Sequence, residues 1–386
     1  MLLGFVGLPN SGKSTMLKAA TLADVQIANY PFTTIDANLA IGYVIADCPC
    51  KKLGVRCSPQ NSRCVDGKRW IPVRILDVAG LVPGAHEGKG LGNKFLDDLR
   101  QADGLVHVLD VSGLTDSEGK QRTADDPWDP EKNIGVLETE IDEWLFDVIG
   151  KNLDKVESLA RMKKIPVERL LGEKLSGLGI GEDDIRRASR KADMKSREFA
   201  TILRKESKPI IIAANKIDLP GAQANYEKIK VRHENVIPTS ADFELALREA
   251  AEHGLIEYQP GDGDFRTVSD KLSGRQSQAL DLIRENVLKK QGSTGVQKVL
   301  NTLVFGMLQY IPVYPVASIS RLSDSKGNVL PDVHLVKKGT TMKELAAKVH
   351  TTMADKFIGG LDLDRKKVGA DHELRSGDVV EIIFSK

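Results

Sequence analysis

Residues 2–14, "LLGFVGLPNSGKS", set an apolar run directly before the pattern G-x-x-x-x-G-K-[ST]. A buried strand, a glycine-bearing loop and a helix opening at the lysine make one continuous path that this order supports. Gly7 and Gly12 let the main chain wrap an anion, with the amides of Asn10, Ser11, Gly12, Lys13, Ser14 and Thr15 around a helix N-terminus. Lys13 then neutralises the outer phosphates of a nucleotide, and the Ser14 hydroxyl ligates Mg2+. The chain is therefore expected to hold a doubly wound, mainly parallel sheet, with a ligand at the carboxyl ends of its strands.

The length, 386 residues, allows two or three domains and a substantial core. A formal net charge of +1 gives no whole-chain preference for nucleic acid, so only local patches could supply one. The start "MLLGFVG" lacks a basic region and a small-residue cleavage site, so no secretory leader is expected. Segment 299–320 has no charged residue, but Asn301, Gln309, Pro312 and Pro315 favour a helix ending before a buried strand over a membrane span. We expect a soluble, cytoplasmic monomer with no membrane partner.

Further strands are expected at "ANLAIGYVIAD", "WIPVRILD", "DGLVHVLDVS" and "KPIIIAANKID", the last two with Asp or Asn at their carboxyl ends. Between 125 and 205 the pattern changes to long, charge-rich helical segments, which read as a helical hairpin inserted into the sheet domain. Residues 125–147 carry nine acids and one Lys, whereas 186–208 carry nine Lys or Arg and three acids. Either two antiparallel helices pair these charges, or the basic run forms a face for RNA phosphates. More helix is expected from 241 to about 310. The last stretch, with a capping box at Thr341 and Glu344 and a final strand "GDVVEIIF", reads as a separate small α+β module.

All four cysteines fall in "CPCKKLGVRCSPQNSRC", at Cys48, Cys50, Cys57 and Cys64. A local metal knot with zinc on four thiolates, plain reduced thiols and a redox disulfide all fit this clustering. Paired C-x-x-C knuckles are missing, and the three readings stay open.

"DVAG", Asp77 to Gly80, follows a strand, so Asp77 can hold Mg2+ through water while the Gly80 amide senses a terminal phosphate. "NKID", Asn215 to Asp218, ends another strand. Asp218 can accept from the N1 and N2 hydrogens of guanine, a pattern that adenine does not present. Asn215 would meet the base edge or tie loops together, and the Lys216 stem can cover the ring. Ser240 and Ala241 in "TSA" offer a backbone amide for the guanine carbonyl.

Taken with "NYPFTTIDAN" and "DVAGLVPGAHEGKGLGNKFL", these motifs make the chain similar to the Obg-like GTPases, in the archaeal form of the YchF branch. The resemblance runs through essentially the whole chain. It implies a P-loop NTPase domain (1–124 and 206–312), an inserted helical domain (125–205) and a C-terminal β-grasp, ubiquitin-like TGS domain (313–386). It also implies a switch I at Phe32, Thr33 and Thr34, with Thr34 joining Ser14 and Asp77 on Mg2+. A GTP/GDP cycle linked to the ribosome, its RNA or translation factors follows from the same likeness. Bacterial and many eukaryotic relatives have lost the Asn-Lys-x-Asp reader and favour ATP; this chain keeps it, which favours GTP.

Leu81 stands where many such switches carry a water-orienting Gln. Asn10 matches the position at which related GTPases help bind K+, so K+ is expected to supply charge near the phosphates, with Lys13. His86 and Glu87, in the glycine-rich stretch that follows, are the alternative water handlers, and His107 reads as a core residue. Slow GTP hydrolysis in a switch is the leading expectation. A non-hydrolysing nucleotide-dependent binding module and an ATP hydrolase are the alternatives.

Overall fold

The structure is a computed structural model that describes residues 1–21, 38–78, 92–270 and 272–385, without the side chains of 92–94, 96 and 97. The first apolar run forms β1 (Leu2–Val6), and the glycine loop leads into α1 (Lys13–Thr21). There follow β2 (Leu39–Asp47), α2 (Pro49–Leu53), β3 (Arg63–Val65), β4 (Lys68–Asp77), α3 (Gly92–Gln101) and β5 (Gly104–Asp110). The next stretch contains α4 (Glu131–Lys163), α5 (Val167–Leu175), α6 (Glu182–Ser189) and α7 (Arg197–Ser207). The sheet resumes with β6 (Ile210–Asn215), α8 (Ala222–Arg232), β7 (Val236–Pro238) and α9 (Ala241–Glu252).

By compactness, the described residues of 1–22, 37–40 and 74–299 form one unit, and those of 41–73 and 300–386 form another. In the first unit, β1 lies between β4 and β5, parallel to both, and β6 and β7 extend the sheet in parallel beyond β5. Strand order therefore reverses at β1, the point where a doubly wound sheet opens a crevice at its strand ends. The strands are apolar on both faces because helices cover both: every residue of β1 and β5 is buried.

The helical segment contains the expected antiparallel pair as α4 and α7, with α5 and α6 filling their connection. Helix α4 has 33 residues, about 50 Å at 1.5 Å per residue. Its buried residues recur every three or four positions. Ile134, Leu137 and Ile141 pack on the sheet domain, and Leu145, Ile149, Leu153, Val156 and Ala160 build a core with α5–α7. The charges pair across the bundle. Arg204, only 3% exposed, meets Asp142 at 2.5 Å and Glu138 at 3.6 Å, and Arg197 meets Glu143 at 2.7 Å. Lys195 reaches Glu157, and Arg187 and Lys191 share Glu206. Lys208 is buried, donating to the carbonyls of Arg100 and Ala102, and burial lowers it to about 8. Much of the basic run is thus committed to the fold.

The chain continues through β8 (Ile256–Glu257), β9 (Arg266–Thr267), α10 (Gly274–Ile283), α11 (Lys289–Gln291) and α12 (Val296–Asn301), with π-helical turns at Arg284–Leu288 and Thr302–Met307. Segment 299–320 ends its helix before strand β10 (Tyr310–Val316), as its prolines predict. Among the described residues no helix is long and apolar enough to cross a membrane. In the second unit, β10 joins β11 (His334–Lys337), α13 (Met342–Val349), α14 (Thr351–Asp355), β12 (Phe357–Leu361), β13 (Lys367–Val368) and β14 (Val379–Phe384). The five strands run in the order β11-β10-β14-β12-β13, and α13 buries Met342 and Leu345 against Val313, Val336 and Val380. Thr341 and Glu344 form the expected capping box.

His107 on β5 is 1% exposed, and burial pushes it down to about 4. The unfolded chain binds this proton near pH 6.5, so unfolding takes up a proton between pH 6.5 and about 4. The stabilisation is complete above 6.5 and lost as pH falls towards 4, a loss of about 3 kcal/mol. Urea unfolding at pH 7 and pH 4.5 should show this drop, and His107→Gln should remove its share. A remaining slope is expected from His334, which burial also lowers to about 4.

Candidate functional site

The loop after β1 folds as its glycines require. Gly12 has φ +89°, and a Cβ there would sit 2.3 Å from Asn215 Nδ2. At Gly7 a Cβ would meet Ser11 Oγ and the Val108 carbonyl at 2.7 Å each. Met16 N donates to Gly12 O at 2.9 Å, so the helix begins within the motif and directs its N-terminal amides at the crevice. Ser14 is exposed on the first turn, with Thr15 beside it, half-buried.

Lys13 forms an ion pair with Asp77 and donates to the Val78 carbonyl at 2.9 Å. The P-loop lysine and the acid at the end of β4 thus come together from residues 64 positions apart. Asn10 takes a left-handed backbone, φ +63°, which Asn tolerates, and its Nδ2 donates to Gly119 O at 2.8 Å. That bond uses the amide nitrogen and leaves Oδ1 out of it.

Asn215, 1% exposed, is the tie between the two motifs. Its Nδ2 donates to Ser11 O at 3.0 Å, and its Oδ1 accepts from Ala241 N at 3.0 Å. Lys216 donates to Asn10 O at 2.8 Å and pairs with Asp110 at 2.7 Å, which lays its stem along the loop. Asp218 accepts from Ser240 Oγ at 2.6 Å, and Ser240 N donates to Thr294 O at 2.9 Å. The structure therefore brings Asn10, Ser11, Gly12, Asn215, Lys216, Asp218, Ser240 and Ala241 together around the Asn215 and Lys216 contacts, while Lys13, next along the chain, pairs with Asp77. Phe32, Thr33, Thr34, Gly80, Leu81, His86 and Glu87 lie outside the described residues.

Three participants escaped the sequence reading. Asp110, 3% exposed, is fixed by Ser112 N at 2.9 Å and Thr115 Oγ1 at 2.8 Å, so it can hold Lys216. Its position at a strand end, like that of Asn215, was the available signal. Gly119 and Thr294 act through backbone carbonyls, which no side-chain pattern announces.

The four cysteines belong to the second unit, and their sulfurs lie within 4.8 Å of one another.

Residues 2–152 match the family described as 50S ribosome-binding GTPase, 213–318 the Obg-like GTPase YGR210-like, G4 motif-containing domain, and 326–384 the TGS domain. An uncharacterized GTP-binding protein of Methanocaldococcus jannaschii is 48% identical over 394 residues, covering 99% of this chain and 98% of the relative. A second, from Schizosaccharomyces pombe, is 39% identical and covers 93% of this chain and 92% of the relative. The crystal structure of a GTP binding protein from Pyrococcus horikoshii OT3 is 39% identical, with TM-score 0.78 and complete coverage of both chains.

Asn215→Ala removes a buried amide and leaves the Ser11 carbonyl and the Ala241 amide without it. A loss of about 2 kcal/mol is expected, read as a lower urea midpoint at unchanged slope.

Proposed function

Because this chain belongs to the Obg-like GTP-binding proteins of the YchF type, we propose that it is a slow GTPase used as a ribosome-linked switch. The observation that carries the reading is the Asn215 tie, which sets a base-reading motif against a phosphate loop at the reversal of strand order. The proposed pocket is formed by the amides of Asn10 to Thr15 for the phosphates and by Asn215, Lys216, Asp218, Ser240 and Ala241 for guanine.

The donor set, hydroxyl and carboxylate oxygen, fits a hard divalent cation: Ser14 is exposed on the first turn of α1, and the Asp77 carboxylate already faces the positive charge of the neighbouring Lys13. Ser14, Asp77 and Thr34 would hold Mg2+, which when bound neutralises charge developing on the outer phosphates. Lys13 exchanges Asp77 for the phosphates as nucleotide enters, and the same exchange frees the Asp77 carboxylate. Asp218, steadied by Ser240, accepts from the guanine edge, and adenine leaves it unmatched.

Leu81 has no group that can orient water. Asn10 Oδ1 would hold K+, which supplies positive charge beside the phosphates where an arginine finger otherwise acts. His86 and Glu87 are the competing water handlers. Intrinsic turnover is slow and rises when a partner engages the nucleotide-bound chain. The family description over 2–152 names a 50S ribosome-binding GTPase, which makes the large ribosomal subunit the partner we favour, in the cytoplasm.

Turnover of GTP and ATP in K+ and in Na+, with and without ribosomes, tests the reading. GTP-selective hydrolysis that K+ and ribosomes each raise is expected. Tight GTP binding without hydrolysis in every condition would make the chain a binding module instead, and indifference to K+ would sink the role of Asn10. Asp218→Ala should weaken GTP about 100-fold and erase the preference over ATP, as read by calorimetric titration.

A further inference from the structure

The four cysteines take no part in the hydrogen bonds described between the phosphate loop and the base-reading motif, and their sulfurs converge on one point. Cys48 and Cys50 sit at the start of α2, Cys64 lies on β3, and Cys57 comes from the loop between them. All four sulfurs are mutually within 4.8 Å, and the Cys50 and Cys64 sulfurs are 3.9 Å apart. A tetrahedral zinc site with Zn–S near 2.3 Å requires sulfurs separated by about 3.8 Å. The Cys50–Cys64 pair matches that figure, and four thiols converge from three local elements, whereas a redox pair needs only two.

The surroundings supply an independent observation. Arg69 is fully buried beside the cluster, at 0% exposure. Its guanidinium donates to Ser62 Oγ at 2.9 Å, to the Leu330 carbonyl at 2.9 Å and to Cys48 Sγ at 3.4 Å, and it lies over the Tyr314 ring, 5.2 Å from the centroid. Among the described residues no carboxylate forms a close ion pair with it, and the one whose charge it feels, Asp332, is itself half-buried and raised towards its neutral form by that burial. A fully buried cation with no close ion pair is unfavourable. Neutral thiols do not answer that charge. Zn2+ on four thiolates carries a net charge of −2, and Arg69 then offsets part of it.

We propose that Cys48, Cys50, Cys57 and Cys64 bind one structural Zn2+, with Arg69 as the charge-balancing neighbour, and that this centre fixes residues 48–70 to the C-terminal module. Zn2+ replaces four thiol protons, which pass to solvent, and no electron is transferred. The loop that brings Cys57 also brings the module's partners. Ser58 N donates to Val329 O at 2.8 Å, Gln60 N donates to Pro331 O at 2.7 Å, and Asn61 exchanges two 3.0 Å bonds with Val333. Closing the metal site orders this loop, and the loop then holds 329–333. With all four positions filled by protein the site is closed, so its role is structural rather than catalytic.

Metal analysis of the full-length chain, purified without chelator, tests this with no variant required. One zinc per chain is expected, released by a mercurial as four thiols react, with X-ray absorption showing four sulfurs near 2.3 Å. Replacement by Co2+ should give a tetrahedral thiolate spectrum. In Cys57→Ser/Cys64→Ser, zinc should be lost and hydrogen exchange should rise at 57–61 and at 329–333, while GTP affinity stays within about twofold. Substoichiometric zinc after reconstitution overturns the proposal, whether the thiols are then found reduced or as a disulfide. Iron in place of zinc overturns the assignment of the metal. Because GTP affinity is read separately, failure here leaves the GTPase reading standing.

Discussion

One buried amide organises the candidate site. Asn215 ends a strand on which every neighbour is apolar, so its side chain must find partners inside the protein. It finds a carbonyl in the phosphate loop and an amide at the start of α9. These bonds join three segments far apart in the sequence. They also explain why Gly12 admits no side chain: the amide occupies the space a Cβ would need. Preorganisation of this kind lets a loop of backbone amides keep its shape without an anion to hold it.

Charge is handled by pairing throughout the first unit, to two different ends. Lys13–Asp77 and Lys216–Asp110 sit at the crevice, where partial exposure of the lysines allows partners to be exchanged. In the helical segment, Arg204 and its acids are inside the bundle, and separating them would strand a buried cation. The acidic first helix and the basic last one are therefore complementary parts of one fold. Their composition, taken alone, equally suits a surface for phosphates.

Most of the site's residue types were legible in the sequence. A glycine-lysine loop behind a strand and an Asn-Lys-x-Asp behind another have few physical explanations, since each residue type performs a task that few others can. The strands announced themselves by apolar runs, and the capping box at Thr341 and Glu344 is a purely local interaction. Less legible were the four-helix form of the inserted segment and the supporting roles of Gly119 and Thr294. Backbone carbonyls have no residue type, and helix counts depend on breaks such as Gly181 and Ser196 that also occur in loops.

By itself the sequence determined which groups could meet a phosphate, a guanine edge and a hard cation, because those are properties of side chains and of local backbone freedom. Tertiary structure decided which groups meet one another. Asn215 became a brace, Asp110 became the anchor of Lys216, and four cysteines spread over 17 residues converged on one point beside a buried arginine. Such pairings are fixed by strand order and burial, which act over separations that no local pattern spans.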